Sequence, residues 1–221
     1  MHTVRNCVSA AIMLIAVTGC VELNRKAGTR ATMAPTTGFV TVPGHAAYVG
    51  SGDSFHPVGP ADPFRLSMRS DDLIVSVAFD PQRSGPTFIG PILPLLPTRS
   101  GPEQAGSGVP LNMIVQVISA DGPVKLDLST VRARLPDGQE LVPVCDSKPV
   151  TNMSGCVVRT LPLTGTGRYS TFVFLPLAVD GYNHPSMDIE LPVVEVGSRR
   201  ITLPRITATH ITKWMLHWAG A

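Results

Sequence analysis

Charge and aromatic side chains are both scarce in this chain of 221 residues: 15% are charged and 5% aromatic. Eighteen bases stand against sixteen acids, too even a balance to make an electrostatic footprint for nucleic acid. Yet 43% of residues are hydrophobic, which excludes a disordered chain, because disorder needs low hydrophobicity and high net charge. The apolar run at residues 7–17 has 11 residues, against the roughly 20 that a membrane-spanning helix requires. Chemical signatures are missing as well. No G-x-S-x-G elbow, H-E-x-x-H helix, phosphate-binding G-x-x-x-x-G-K or EF-hand loop occurs, so no catalytic residue, cofactor or metal site is read. What the chain has in abundance is turn formers: 20 glycines and 21 prolines, 41 of 221 residues, well above average usage.

The first twenty residues have the order of an export signal. Arg5 and the amino terminus form a short positive region, the apolar run follows, and the run ends Val17-Thr18-Gly19-Cys20. That tetrapeptide resembles the lipobox of bacterial lipoproteins, although Val17 and Thr18 stand where Leu and Ala or Ser are commonest. The resemblance covers only the leader. It implies cleavage after residue 19, a diacylglyceryl thioether on Cys20, and acylation of the new amino terminus. Two or three acyl chains anchor a protein stably where one holds only marginally. Val21 follows the cysteine in place of Asp, so the inner-membrane retention signal known in some bacteria is absent, which points to the outer membrane, facing the periplasm.

Cysteine usage agrees with an oxidising envelope. Once Cys7 leaves with the leader and Cys20 carries lipid, Cys145 and Cys156 remain as a pair, without a C-x-x-C or a nearby histidine to make them metal ligands. They are read as a disulfide closing a hairpin-like loop.

Residues 20–37 lack apolar periodicity and read as a flexible tether, about 23 Å in root-mean-square span. Residues 38–221 then read as one domain. Apolar or alternating runs at 73–79, 111–120, 131–135, 140–145, 169–175, 189–196 and 200–206 are punctuated by turn signals. Asp137-Gly138 and Gly197-Ser198 are hairpin turns on this reading, the second of type II′, and Asp180-Gly181 marks another turn. Pro143, Pro192 and Pro204 should mark edges or bulges, since proline donates nothing to a ladder. The expectation is an all-β, immunoglobulin-like antiparallel sandwich of about 7–9 strands, with an N-terminal signal helix and a short C-terminal helix at 211–218.

Three segments bear on function. Residues 50–56, with Asp53, Ser54, His56 and nearby His45, have ordinary loop composition, and His184 beside Pro185 reads as a turn residue. Residues 81–110 hold Pro91, Pro94 and Pro97 at polyproline spacing among large apolar side chains, either a lid over the sandwich or a partner-binding loop. Trp214 and Trp218, the only tryptophans, lie four apart near the C-terminus. The candidate partner surface is therefore Phe88, Ile92, Leu95, Trp214 and Trp218. These features describe a lipid-anchored, non-enzymatic envelope protein that binds or scaffolds another envelope component, with the membrane and an envelope protein as partners. An envelope hydrolase with a dispersed site, and a carrier of a small apolar ligand, are the alternatives.

Overall fold

Period-two burial runs through the computed structural model of the chain, which describes residues 20–42, 47–49, 55–57, 63–71, 73–90, 96–98, 109–145, 156–163 and 165–219. The strands are β1 (Cys20–Met33), β2 (Val40–Thr41), β3 (Ala47–Val49), β4 (Phe55–Pro57), β5 (Arg65–Arg69) and β6 (Leu73–Asp80). After these come β7 (Arg83–Gly90), β8 (Leu96–Thr98), β9 (Pro110–Ser119), β10 (Lys125–Asp127), β11 (Arg132–Arg134) and β12 (Glu140–Leu141). The last six are β13 (Arg159–Leu163), β14 (Arg168–Asp180), β15 (Met187–Glu190), β16 (Val193–Val196), β17 (Arg199–Ile201) and β18 (Ile206–Ala219). One 3₁₀ turn, Leu128–Thr130, is the only helical element among the described residues. The fold is an all-β antiparallel sandwich. Its strands outnumber the seven to nine runs expected because segments of two or three residues, such as β2 and β10, are too short to show a period.

The chain divides into two compact units. Unit 2 holds residues 28–82 and 106–211 and contains the core. Its main sheet runs β13-β14-β9-β6-β5-β2. Registers Val77↔Val115 and Val173↔Val115 line up three valines, and Phe79↔Met113 with Leu175↔Met113 form the next row. All six are essentially inaccessible to water. At about 25 cal/mol per Å² of apolar area removed from water, such rows hold the sheet to its neighbour. The opposing face comes from Ala31, Ala133, Leu141, Met187, Ile189, Ile206 and Ala208, on strands of a second sheet ordered β12-β11-β15-β18-β1-β7-β8. A smaller sheet, β10-β16-β17, adds Val194 and Val196 to the same core.

The turn residues act as expected. Leu135 and Gln139 close the β11–β12 hairpin, with Gly138 at φ +87°. Gly197 at φ +58° joins β16 to β17. Ser198 is not in the positive-φ region, which fits the II′ turn and not I′, where both central residues need φ > 0. Gly181 follows β14 for a different reason: a Cβ there would collide with the ring of Pro81. Pro143, Pro192 and Pro204 all lie just outside strands.

Three expectations are corrected. Residues 20–33 are not a tether but β1, because Thr29 and Ala31 alternate inward while Arg30 and Thr32 face water, a polar period hidden by small side chains. Segment 81–110 is not loop throughout: β7 pairs with both β1 and β8. The C-terminal segment is strand β18 and not helix. Its β-branched residues, Ile206, Thr207, Thr209, Ile211 and Thr212, prefer a pleated surface, and a spacing of four serves a strand face as well as a helix face. The leader, residues 1–19, lies outside the described residues, as do Ile92 and Leu95.

Candidate functional site

Unit 1 comprises residues 1–27, 83–105 and 212–221, and its described part is a sheet in the order β18-β1-β7-β8. The register Val21↔Gly90, Leu23↔Phe88, Lys26↔Ser84 and Ala27↔Arg83, with a bulge in β7 at Gly85-Pro86 opposite Arg25, fixes β1 against β7. Ile89↔Leu96 and Phe88↔Pro97 fix β8 beyond it. The early residues of β1 and the late residues of β18 share this unit, while the late residues of β1 and the early ones of β18 belong to unit 2. The two neighbours therefore run antiparallel, and Thr32 donates to the Thr207 carbonyl in unit 2.

This arrangement joins what the sequence keeps apart. Phe88 on β7 and positions 214 and 218 on β18 flank the same strand, β1, whose first residue is Cys20. Trp214 is 53% exposed. Residues 212–214 are exposed on consecutive positions.

A second apolar surface belongs to unit 2. Cys145 and Cys156 are bonded, with Cα atoms 5.2 Å apart. The bond does not close a hairpin: it joins the segment after β12, the edge of the seven-stranded sheet, to the segment before β13, the edge of the six-stranded one. Eight large hydrophobic residues are exposed among the described residues, and five of them, Val142, Val144, Val157, Val158 and Leu161, flank this bond. Sequence reasoning missed them because valines beside strand ends look like ordinary strand residues.

No family model, curated protein or solved structure matches this chain.

Among the described residues, the one arrangement resembling a nucleophile with its base lies in unit 2. His184 Nδ1 is 2.8 Å from the Pro185 carbonyl, which only accepts, so in the neutral ring Nε2 accepts from the Thr29 hydroxyl at 2.6 Å. The His210 ring stands edge-on at 5.9 Å. Thr29 is fully buried and His184 7% exposed, so no substrate reaches the hydroxyl, and the contact ties β1 to the loop after β14. A reader of sequence sees His184 only as a turn residue. Ser67 with Ser76 at 3.1 Å, and Gln116 donating to Ser170 at 2.9 Å, likewise satisfy buried polar groups within the six-stranded sheet.

Electrostatic shifts occur at the surface of unit 2. Asp127 is held below the usual carboxylate range chiefly by the Ser129 hydroxyl, with Arg200 assisting. Glu140 is held low by its hydrogen bond from Arg134, whose guanidinium is raised in turn. These groups cap a 3₁₀ turn and pin a hairpin. No cluster of three or more His, Cys, Asp or Glu with metal-ligand geometry is found among the described residues. Of the 50–56 loop, residues 50–54 lie outside the described residues, while His56 pairs opposite Tyr48 on β4 and β3.

Proposed function

We propose that this chain is a lipid-anchored, non-enzymatic component of the bacterial envelope, held at the outer membrane facing the periplasm, that binds or scaffolds another envelope component. The observation that carries the reading is the position of Cys20. It ends the lipobox-like tetrapeptide and also opens β1, so a lipid on its thiol joins a folded sheet and not a loose tail. The Cys145–Cys156 bond suits an oxidising compartment. Exposed valines grouped beside that bond form a surface for a protein partner, since grouped apolar exposure marks interaction sites where scattered exposure does not.

The test is Cys20→Ser in a bacterial host fed labelled palmitate. The native chain should take up label, lose the mass of residues 1–19 and fractionate with membranes. The variant should remain an unlabelled precursor. Normal maturation and labelling of Cys20→Ser would overturn the reading.

A further inference from the structure

The two ends of unit 1 differ in charge. Its described strand segments, residues 20–27, 83–90, 96–98 and 212–219, carry four bases, Arg25, Lys26, Arg83 and Lys213, against one acid, Glu22. The whole chain, by contrast, is nearly balanced. The bases are not spread evenly. Arg25, Lys26 and Arg83 fall on the last rows of the β1–β7 register, and Lys213 is the second residue of β18 within this unit. Toward Cys20 the rows are Leu23↔Phe88, Glu22↔Ile89↔Leu96 and Val21↔Gly90. Antiparallel β18 brings Leu216 and Trp218 to this same end. Five or six residues at about 3.3 Å each separate the Cys20 end from the basic rows, or roughly 15–20 Å.

Leu23, Phe88, Ile89, Leu96, Leu216 and Trp218 lie toward Cys20, with Glu22 the one acid among them, and the basic band with Trp214 lies farther off; apolar interior first and phosphates after is the order met on leaving a bilayer. We propose that unit 1 seats on a phospholipid surface with its Cys20 end inward and Arg25, Lys26, Arg83 and Lys213 toward anionic headgroups. This deepens the anchored-protein reading and takes its compartment from it, by naming envelope lipid as the component that this sheet engages. The seating is interfacial and not spanning. Beyond residue 208, β18 has no register with β15, and β8 is the other edge of the sheet. Open edges are excluded from hydrocarbon, where unpaired backbone groups find no partner. The Cys20 lipid holds the chain at the membrane, and the basic rows set how the sheet lies against it.

The experiment uses residues 20–221 with Cys20→Ser, which bear no lipid, so it is independent of whether Cys20 is acylated in cells. Vesicles of phosphatidylcholine with about one third phosphatidylglycerol are added, a composition that supplies the anionic surface. Flotation and tryptophan emission are then read, both tryptophans being on β18. The chain should float with the vesicles, its emission should move to the blue, and brominated lipid should quench it. Replacing Arg25 and Lys26 with Gln should weaken partition about five-fold for each charge removed, with an unchanged thermal melt. Trp218→Ala should weaken it with the melt likewise unchanged. A folded chain that stays in solution with unshifted emission overturns the proposal, as does partition indifferent to both the anionic lipid and the Arg25 and Lys26 replacements. If unit 1 instead binds a second copy, sedimentation shows concentration-dependent dimers that vesicles do not dissociate, and the proposal is again overturned. Palmitate labelling of Cys20, read separately, reports the anchor alone.

Discussion

One strand passes through two different environments in this molecule. At Ile206 and Ala208, β18 alternates buried residues with more exposed ones and packs against the core of unit 2. From Thr212 to Trp214 it is exposed at every position. The same holds for β1, with Thr29 and Ala31 buried and Arg25 exposed. Hydrogen-bond pairing continues through both halves, so pairing is not what separates them. The core is: of the unit 1 residues whose side chains are described, 25–27 and 212–214, none belongs to it. Backbone pairing sets the shape of a sheet, while burial sets its stability, because a net hydrogen bond contributes about 1 kcal/mol and a buried leucine or phenylalanine roughly twice that.

Truncation should expose this contrast most strongly. Phe79→Ala in unit 2 removes a side chain that is 1% exposed and should cost about 3–5 kcal/mol, whereas Trp214→Ala should stay within about 0.5 kcal/mol, as surface changes do. Urea titrations of both variants measure the difference, and equal losses would mean that unit 1 shares the core after all. The disulfide comes next. Its sequence separation is 11, and reopening a loop of that size should cost roughly 3 kcal/mol in the chain-entropy model. Reduction, or the double Cys145→Ser/Cys156→Ser variant, should therefore lower the midpoint of unit 2 while vesicle binding by the folded chain is unchanged. A smaller effect is expected at the β1 tie. Thr29→Val leaves His184 Nε2 buried without its donor and should cost about 1–3 kcal/mol, read by thermal melting against Thr32→Val on the same strand, which should be near neutral.

Acid should give the smallest change. Asp127 and Glu140 both titrate below their ordinary range when folded. Their contribution is present above the unfolded carboxylate pKa and is lost as pH falls through the lower folded value. Glu140 is exposed and Asp127 half-exposed, so the loss is slight and screened by salt. Melts of Glu140→Gln should show less acid sensitivity than the native chain below the carboxylate range; an identical profile would remove Glu140 from the account.

What was legible in the sequence follows from where side chains carry information. Runs such as 73–79 and 111–119 announced themselves because both faces of their sheet are buried, and a continuous apolar run results. The Asp137-Gly138 and Gly197-Ser198 turns were readable because only certain residues adopt those backbone angles. β1 was not readable: its inward positions are Thr29 and Ala31, whose small side chains leave no hydrophobic stripe. β18 is ambiguous in sequence because tryptophans four apart satisfy either period. The candidate surface was half visible. Phe88, Trp214 and Trp218 were chosen from composition, but nothing in the sequence tells that β1 would stand between their strands. The valines around the bridge were invisible for another reason: exposure of an apolar residue is a property of the edge it reaches, and Cys145 and Cys156 gave no hint that they join the edges of different sheets.

β1 also has a mechanical meaning. It is an interior strand with a partner on each side, β18 and β7, and Cys20 is its first residue. A pull at Cys20 along the strand axis loads the ladders on both flanks in parallel, and their bonds must yield together. A pull across the strand would open them singly. Six matched positions between Val21 and Ala27, interrupted by one bulge, thus act as a lap joint between whatever holds Cys20 and the rest of the chain, with a resistance to shear that no flexible leash of equal length could offer.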